Sequence, residues 1–498
     1  MTETSFASPR DMVRLGADSD GDRVAVIAGE ERLTYAALAG RTERLARSLR
    51  EAGVGAGVQV ALTLPNSVAH VVWYFAVLQA GGVHVPLAPG AAGEARSMIE
   101  DAGVAFVVAP SAAALPGELG IPIVPCRVAE EGGTLWRIPR PPRLLDTEPW
   151  TGGGYLSRHT SSGSTGRPKH VFKSEANVAF DLGNFRTTLE LGADDVFLAA
   201  LPLHTLHGAK SMTAALHLGA RVTILSRFHP GSVLDIARRD RATVLFASPA
   251  MIESLGTCLL RDGDADALRS LRFCGAGGAR LTADVRQAFA DRYGVPVRNQ
   301  YGSTETYSVS VDLEDDFVEG RVGRLHRGIE LRILDDDGNP APIGAPGRVA
   351  VKSPGASAGY SNDPDASAAV FRDGWVLPGD RGTLDAHGRI HLLGRDDVIN
   401  IGSLKVDPLE VARVIRDALP VRDVIVLEGE RGGLPAVRAL IEADPAQVTR
   451  AMVVEACRAR LSAHKVPAIV EVRARFPRDA SGKVLKSSID GAPPPEAA

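Results

Sequence analysis

Cysteine is scarce in this chain: Cys126, Cys258, Cys274 and Cys457 are the four thiols among 498 residues. None stands at Cys-x-x-Cys spacing or beside a histidine cluster, which argues against a disulfide framework and against a zinc site. Long hydrophobic runs are missing too, with no stretch of about eighteen apolar residues that would span a bilayer. Charge of one sign is also absent: 56 Lys plus Arg stand against 60 Asp plus Glu, interspersed. That leaves neither a basic stripe for nucleic acid nor a polybasic patch for a membrane surface. The opening Met1-Thr2-Glu3-Thr4 has no charged stretch followed by an apolar one, and the expected location is the cytoplasm.

What the chain does have is material for more than one core. At 498 residues and 45% hydrophobic content, a large domain plus a smaller one is expected. From about residue 195, short apolar segments at 196–203, 221–225, 243–247, 271–274 and 295–299 read as strands. Helical periodicity between them, as at Ala283 to Tyr293, predicts an α/β fold with a mostly parallel sheet and helices on its faces. The strand and turn Ala61 to Asn66, followed by a helix through 71–80, repeats the pattern and predicts a second, similar lobe. Short strands at 347–351 and 388–393 predict a small β subdomain, and helices near 408–419 and 448–461 with strands at 424–427 and 469–472 predict a separate α+β domain. The expected division is a domain of two α/β lobes plus a β subdomain over 1–394, a small C-terminal domain over 395–490, and a disordered tail over 491–498.

The richest segment is His159-Thr160-Ser161-Ser162-Gly163-Ser164-Thr165-Gly166-Arg167-Pro168-Lys169. Gly163 and Gly166 let backbone approach an anion, while Ser161, Ser162, Ser164, Thr165 and Lys169 offer N–H, O–H and ammonium donors, so nucleotide phosphate is the expected ligand. In the familiar phosphate loop the second glycine is followed directly by Lys-Ser/Thr; here Arg167-Pro168 intervene, which implies a different nucleotide machine. Three further loops, 202–210, 275–279 and 301–306, follow expected strands, where α/β sheets place ligands.

Four more segments accompany the loop in fixed order: Asn299-Gln300-Tyr301-Gly302-Ser303-Thr304-Glu305-Thr306, Pro378-Gly379-Asp380, Gly394-Arg395-Asp396-Asp397, and Pro477-Arg478-Asp479-Ala480-Ser481-Gly482-Lys483. In that order, over nearly the whole chain, they resemble the adenylate-forming superfamily of acyl-CoA synthetases, nonribosomal-peptide adenylation domains and luciferases. The resemblance implies that Thr304 touches the α-phosphate of ATP and that Glu305 holds Mg²⁺, a hard oxygen ligand for a hard ion. It implies that Asp380 accepts from the ribose hydroxyls, that Arg395 contacts ribose and phosphate, and that Gly277, Tyr301 and Gly302 line the nucleotide. Lys483 is implied as the catalytic lysine of a mobile C-terminal domain, stabilising charge as it develops on the α-phosphate. The hinge of that domain falls on Asp396 or Asp397, with Asp397 favoured. Gly275, Ala276 and Gly278 resemble the stretch lining the acid pocket.

The implied reaction is attack of a carboxylate on MgATP, release of pyrophosphate, and transfer of the acyl group from the adenylate to a thiol, of CoA or of a carrier protein's phosphopantetheine. Departures from the family pattern bear on the acid. In Pro202-Leu203-His204-Thr205-Leu206-His207-Gly208-Ala209-Lys210, Thr205 stands where a histidine is common and His207 where some small-acid enzymes carry theirs. No aspartate lies between Pro202 and Met212 to hold an α-ammonium, which disfavours an α-amino acid. Lys210 either pairs with a second anionic group on the substrate or snorkels. His170 replaces a glycine, and Pro378 replaces the threonine that usually precedes Gly-Asp. Such departures suit a specialised biosynthetic enzyme. Two other readings share these residues: transfer to a non-thiol nucleophile or activation of a different anion, and, from another class, a non-catalytic nucleotide-binding protein.

Overall fold

The computed structural model describes residues 8–89, 103–111, 123–126, 154–161, 169–395, 399–401, 404–406, 408–431, 434–461, 465–478 and 484. The chain divides into two compact units: Met1–Leu331 with Val351–Pro378, and Arg332–Ala350 with Gly379–Ala498.

The first unit is α/β and carries two sheets. In one, strands follow the order Glu31–Thr34, Val24–Ala28, Arg221–Ile224, Val196–Ala199, Val244–Ala247, Phe273–Ala276, Val297–Ser303, Tyr307–Val311 and Arg321–Leu325. From Val24–Ala28 to Val297–Ser303 neighbours run parallel. Helices on both faces leave such strands dry, and Val244–Ala247 and Phe273–Ala276 are buried at every position. The other sheet, ordered Ile123–Pro125, Phe106–Ala109, Gln59–Leu62, Val83–Pro86, Tyr155–Ser161, Lys169–Ser174, is the second lobe read from Ala61 to Asn66.

The helix Val68–Gln79 is apolar nearly all round and contributes to one core cluster that also takes in Phe106, Phe197, Phe246 and Phe273 from the two sheets. Asn66 ties the lobes together: its amide donates to the Leu201 and Leu225 carbonyls at 3.0 and 2.9 Å and accepts from the Leu203 amide at 2.8 Å. This fixes the start of the acid-side loop to the end of the strand Gln59–Leu62.

Two loop boundaries differ from the sequence reading. Gly275 and Ala276 belong to the strand Phe273–Ala276, paired with Phe246 and Ala247 on one side and Arg298 and Asn299 on the other. Tyr301 to Ser303 likewise extend the strand Val297–Ser303, because they pair antiparallel with Tyr307–Val311. Ladder pairing continues where local composition suggested a loop.

The second unit holds the three-stranded sheet Asp423–Arg431, Leu434–Glu442 and Ile469–Arg473 with the helices Pro408–Ala418 and Arg450–Arg458. Val411, Ile415, Val437, Ile441, Val453 and Cys457 form a core of its own. Its bounds differ from a division at 394/395: Asp380–Leu384 pairs with Gly347 and Arg348 and with Ile390–Arg395, and these residues group with the C-terminal ones. The 491–498 tail lies outside the described residues.

Candidate active site

The hairpin Val297–Ser303/Tyr307–Val311 presents Thr304 and Glu305 at its tip. Four residues brace that tip. The Ser303 amide donates to Thr306 Oγ1 and the Thr306 amide to Ser303 Oγ, each at 3.2 Å. Gly302 is required opposite, since a Cβ there would sit 2.1 Å from the Tyr307 carbonyl oxygen. Tyr307 itself takes φ +61°, a left-handed backbone that a bulky residue adopts only under tertiary constraint.

Glu305 is buried, and every contact that holds it comes from far along the chain. The Tyr360 hydroxyl donates to Oε1 at 2.8 Å, leaving the second carboxylate oxygen without a protein partner among the described residues. Its backbone carbonyl accepts from Lys173 Nζ at 3.1 Å and from the Ser357 amide at 2.8 Å. Tyr360 also links the tip to the first loop, because Lys169 Nζ lies 5.2 Å from its ring centroid. Ser161 and Lys169 are register partners at the open end of the hairpin Tyr155–Ser161/Lys169–Ser174. Ser162, Gly163, Ser164, Thr165 and Gly166, which connect them, lie outside the described residues, as do Asp396, Asp397 and Lys483.

Lys173 was missed in the sequence. It is fully buried, donates to the carbonyls of Glu305 and Gly355, and stands 4.1 Å from the Tyr307 ring centroid. Burial pushes its pKa from 10.5 down to about 7, against the pull of the Glu305 and Asp181 carboxylates. The available signal was a lysine on the strand Lys169–Ser174 directly after the apolar pair Val171-Phe172. Beside it, His159 is buried, bonded to Ser157 Oγ at 2.9 Å, and held down to about 3 by burial and then by Lys173. His170, in place of the glycine, is buried and its amide donates to Asn362 Oδ1 at 2.9 Å.

The acid-side residues gather on the helix Leu206–His217. Thr205, where a histidine is common, is its N-cap: Oγ1 accepts from the Gly208 amide at 3.0 Å and donates to the Pro202 carbonyl at 2.7 Å. Gly208 fits because a Cβ would meet the Pro202 oxygen at 2.1 Å. The His207 ring approaches Gly277, at 3.7 Å from where a Cβ would stand, and burial and then Lys210 hold its pKa below the ordinary value. His204 lies near enough to His70 to help depress that ring, whose pKa burial lowers to about 4. Gly275 leaves no room for a side chain between the Phe273 ring and Gln300, and Gly278 takes φ +85°. Lys210 does not snorkel: Nζ donates to Ser308 Oγ at 2.6 Å and faces the Phe185 ring.

In the second unit, Asp380 and Arg395, fifteen residues apart in sequence, are register partners across the pair Asp380–Leu384/Ile390–Arg395. The one step Gly379, at φ +80°, leads into Asp380.

The AMP-binding enzyme family model matches residues 14–361. A feruloyl-CoA synthase of Amycolatopsis sp is 32% identical over 93% of this chain and 95% of its own length. ATP-bound MatB from Rhodopseudomonas palustris superposes with TM-score 0.81 at 28% identity, covering 96% of this chain and 98% of that one. The amide bond synthetase McbA from Marinactinospora thermotolerans gives TM-score 0.78 at 27% identity, over 97% and 99%. Among the described residues no helix is long and apolar enough to cross a membrane.

Proposed function

The chain belongs to the AMP-binding enzyme family, and from that premise we propose how its residues divide the work of an ATP-consuming acid–CoA ligase. A substrate carboxylate attacks the α-phosphorus of ATP, pyrophosphate leaves, and the acyl-adenylate forms. The CoA sulfur then attacks the acyl carbon and AMP departs. The observation that carries this assignment is the braced tip Ser303–Thr306, with a buried Glu305 that has one oxygen held by Tyr360 and the other open. Thr304 is the donor to the α-phosphate. Ser161 to Gly166 and Lys169 receive the β- and γ-phosphates, and Asp380 with Arg395 takes the ribose.

Glu305 would hold Mg²⁺: a buried carboxylate with one oxygen open is a hard donor that suits a hard ion. Bound there, Mg²⁺ supplies charge neutralisation across the phosphates. The chain's own contribution is to fix the carboxylate before nucleotide arrives, and positioning of this kind is the main catalytic resource in phosphoryl transfer. Lys483 supplies the ammonium for adenylation, and the 395–490 segment turns about Asp396 or Asp397 to present the thiol for the second half-reaction. A carrier-protein phosphopantetheine would satisfy the same chemistry as CoA, and the cytoplasm is the proposed location.

Likeness to the amide bond synthetase over 97% of this chain favours one second reading, in which an amine takes the acyl group from the adenylate. Supplying the protein with ATP, Mg²⁺ and an accepted acid, with CoA or with a panel of primary amines, separates the two. A CoA thioester formed faster than any amide supports the ligase; amide formation with CoA ignored reverses the assignment.

A further inference from the structure

Between the helices Glu175–Thr187 and Leu206–His217 lies a small cavity of about 10 Å³, lined by Asp181, Lys210, His159, Ser157, Tyr74 and Tyr307 among others. That is room for one polar heavy atom and no more. Its wall is built from charged groups that folding has left incomplete. Asp181 is 2% exposed; Oδ1 accepts from the Ser308 amide at 3.0 Å, but Oδ2 has no hydrogen-bond partner among the described residues. Lys210 Nζ spends one N–H on Ser308 Oγ and lies 5.9 Å from the Phe185 ring centroid. Ser308 thus touches both a carboxylate and an ammonium that line the void, and no ion pair joins the two.

We propose that this cavity seats a neutral hydroxyl group at the far end of the acyl substrate, with Asp181 and Lys210 as specificity residues. The proposal rests on the reading of Leu206–His217 as a wall of the acid pocket. Three candidate end groups are decided by counting donors and acceptors. A carboxylate accepts from Lys210 but has nothing to donate to Asp181 Oδ2, and it brings a second negative charge against that oxygen. An ammonium donates to Asp181 but offers Lys210 no acceptor and adds a like charge. A hydroxyl does both at once: its O–H donates to Oδ2 while its oxygen accepts from Nζ. The substrate expected from this chain is therefore a hydroxy acid and not the diacid that Lys210 alone would favour. Buried groups left unpaired discriminate strongly against an analogue lacking the hydroxyl, so a preference of about tenfold or more is expected.

The test is ATP–pyrophosphate exchange by the full-length protein with benzoic, phenylacetic, cinnamic and hexanoic acids. Each is supplied as the parent, as hydroxylated forms (para and meta for the aryl acids, terminal for hexanoic), and as the carboxylated form. On at least one skeleton a hydroxylated acid should exceed both parent and diacid at least about tenfold in kcat/KM. In Asp181→Asn, which turns an acceptor into a donor, and in Lys210→Met, the hydroxyl-to-parent ratio should fall toward one. Because the ratio is taken within each protein, partial loss of folded enzyme leaves it unmoved. Parent acids used as well as hydroxylated ones, or a preference that survives Asp181→Asn, would overturn the proposal and leave a cavity that holds an ordered water only. Exchange with none of these acids would overturn the ligase reading itself, and this subsite with it.

Discussion

The hairpin tip at Thr304–Glu305 and the cavity beside Lys210 both adjoin Tyr307, and they differ in which polar groups folding has closed. At the tip the backbone is closed, with Ser303 and Thr306 bonding each other and the Glu305 carbonyl accepting twice, while one Glu305 carboxylate oxygen stays open. At the cavity it is a buried charged side chain that is incomplete: Asp181 Oδ2 has no hydrogen-bond partner among the described residues. A region that handles the same nucleotide in every turnover can have its backbone braced in the folded protein, at no reorganisation cost when ATP binds. A region that selects among acids keeps its hydrogen bonds open for the ligand to close, because unpaired polar groups are what reject the wrong one.

The sharpest way to break this contrast lies on the nucleotide side. Lys483→Ala is expected to slow adenylation by roughly 10²- to 10³-fold or more while sparing thioester formation from a supplied acyl-adenylate; equal loss in both half-reactions, measured by pyrophosphate exchange and by thiol capture, would contradict domain alternation. Glu305→Gln keeps the shape and the Tyr360 contact but removes the charge. It should cost about 10²-fold in kcat and raise the Mg²⁺ concentration needed for half-maximal exchange, as seen in a Mg²⁺ titration. Unchanged Mg²⁺ dependence would remove Glu305 from the metal site.

Lys173 sharpens the comparison through pH. Its folded pKa of about 7 lies below the ordinary 10.5, so between those values the unfolded chain binds more protons and stability rises with pH. The rise is up to about 1.4 kcal/mol per pH unit. Lys173→Met should lack that rise when unfolding is followed in urea from pH 7 to 10. On the acid side the sign is the same for the buried imidazoles: with His70 at about 4 and His159 at about 3, stability falls as pH drops from about 6.5 through those values. The smallest effect is expected at the acid-side helix cap, where Thr205→Ala should cost about 1 kcal/mol and leave the nucleotide side untouched.

Much of the scaffold could be read from periodicity alone. The helix Ala283–Tyr293 begins after Thr282 and stops at Gly294, whose φ of +67° ends it, and both signals are local. Strand ends were read less well, because Tyr301–Ser303 become strand only through pairing with Tyr307–Val311. The residues that hold the tip were not legible. Lys173 is 132 positions from Glu305, and Tyr360 stands in no recognisable motif; their roles exist only once the chain has folded. Thr205 looked like a substitution of substrate-contacting chemistry and proved to be a cap. The surroundings of Lys210 were not legible either, because Asp181, which lines the same cavity, lies on another helix.

The most direct test is to incubate the protein with ATP, Mg²⁺, CoA and the acid panel and to follow nucleotide products together with thioester. The account predicts acid-dependent formation of AMP and pyrophosphate with stoichiometric CoA thioester. ADP and phosphate as products, or AMP release that ignores the acid, would contradict it.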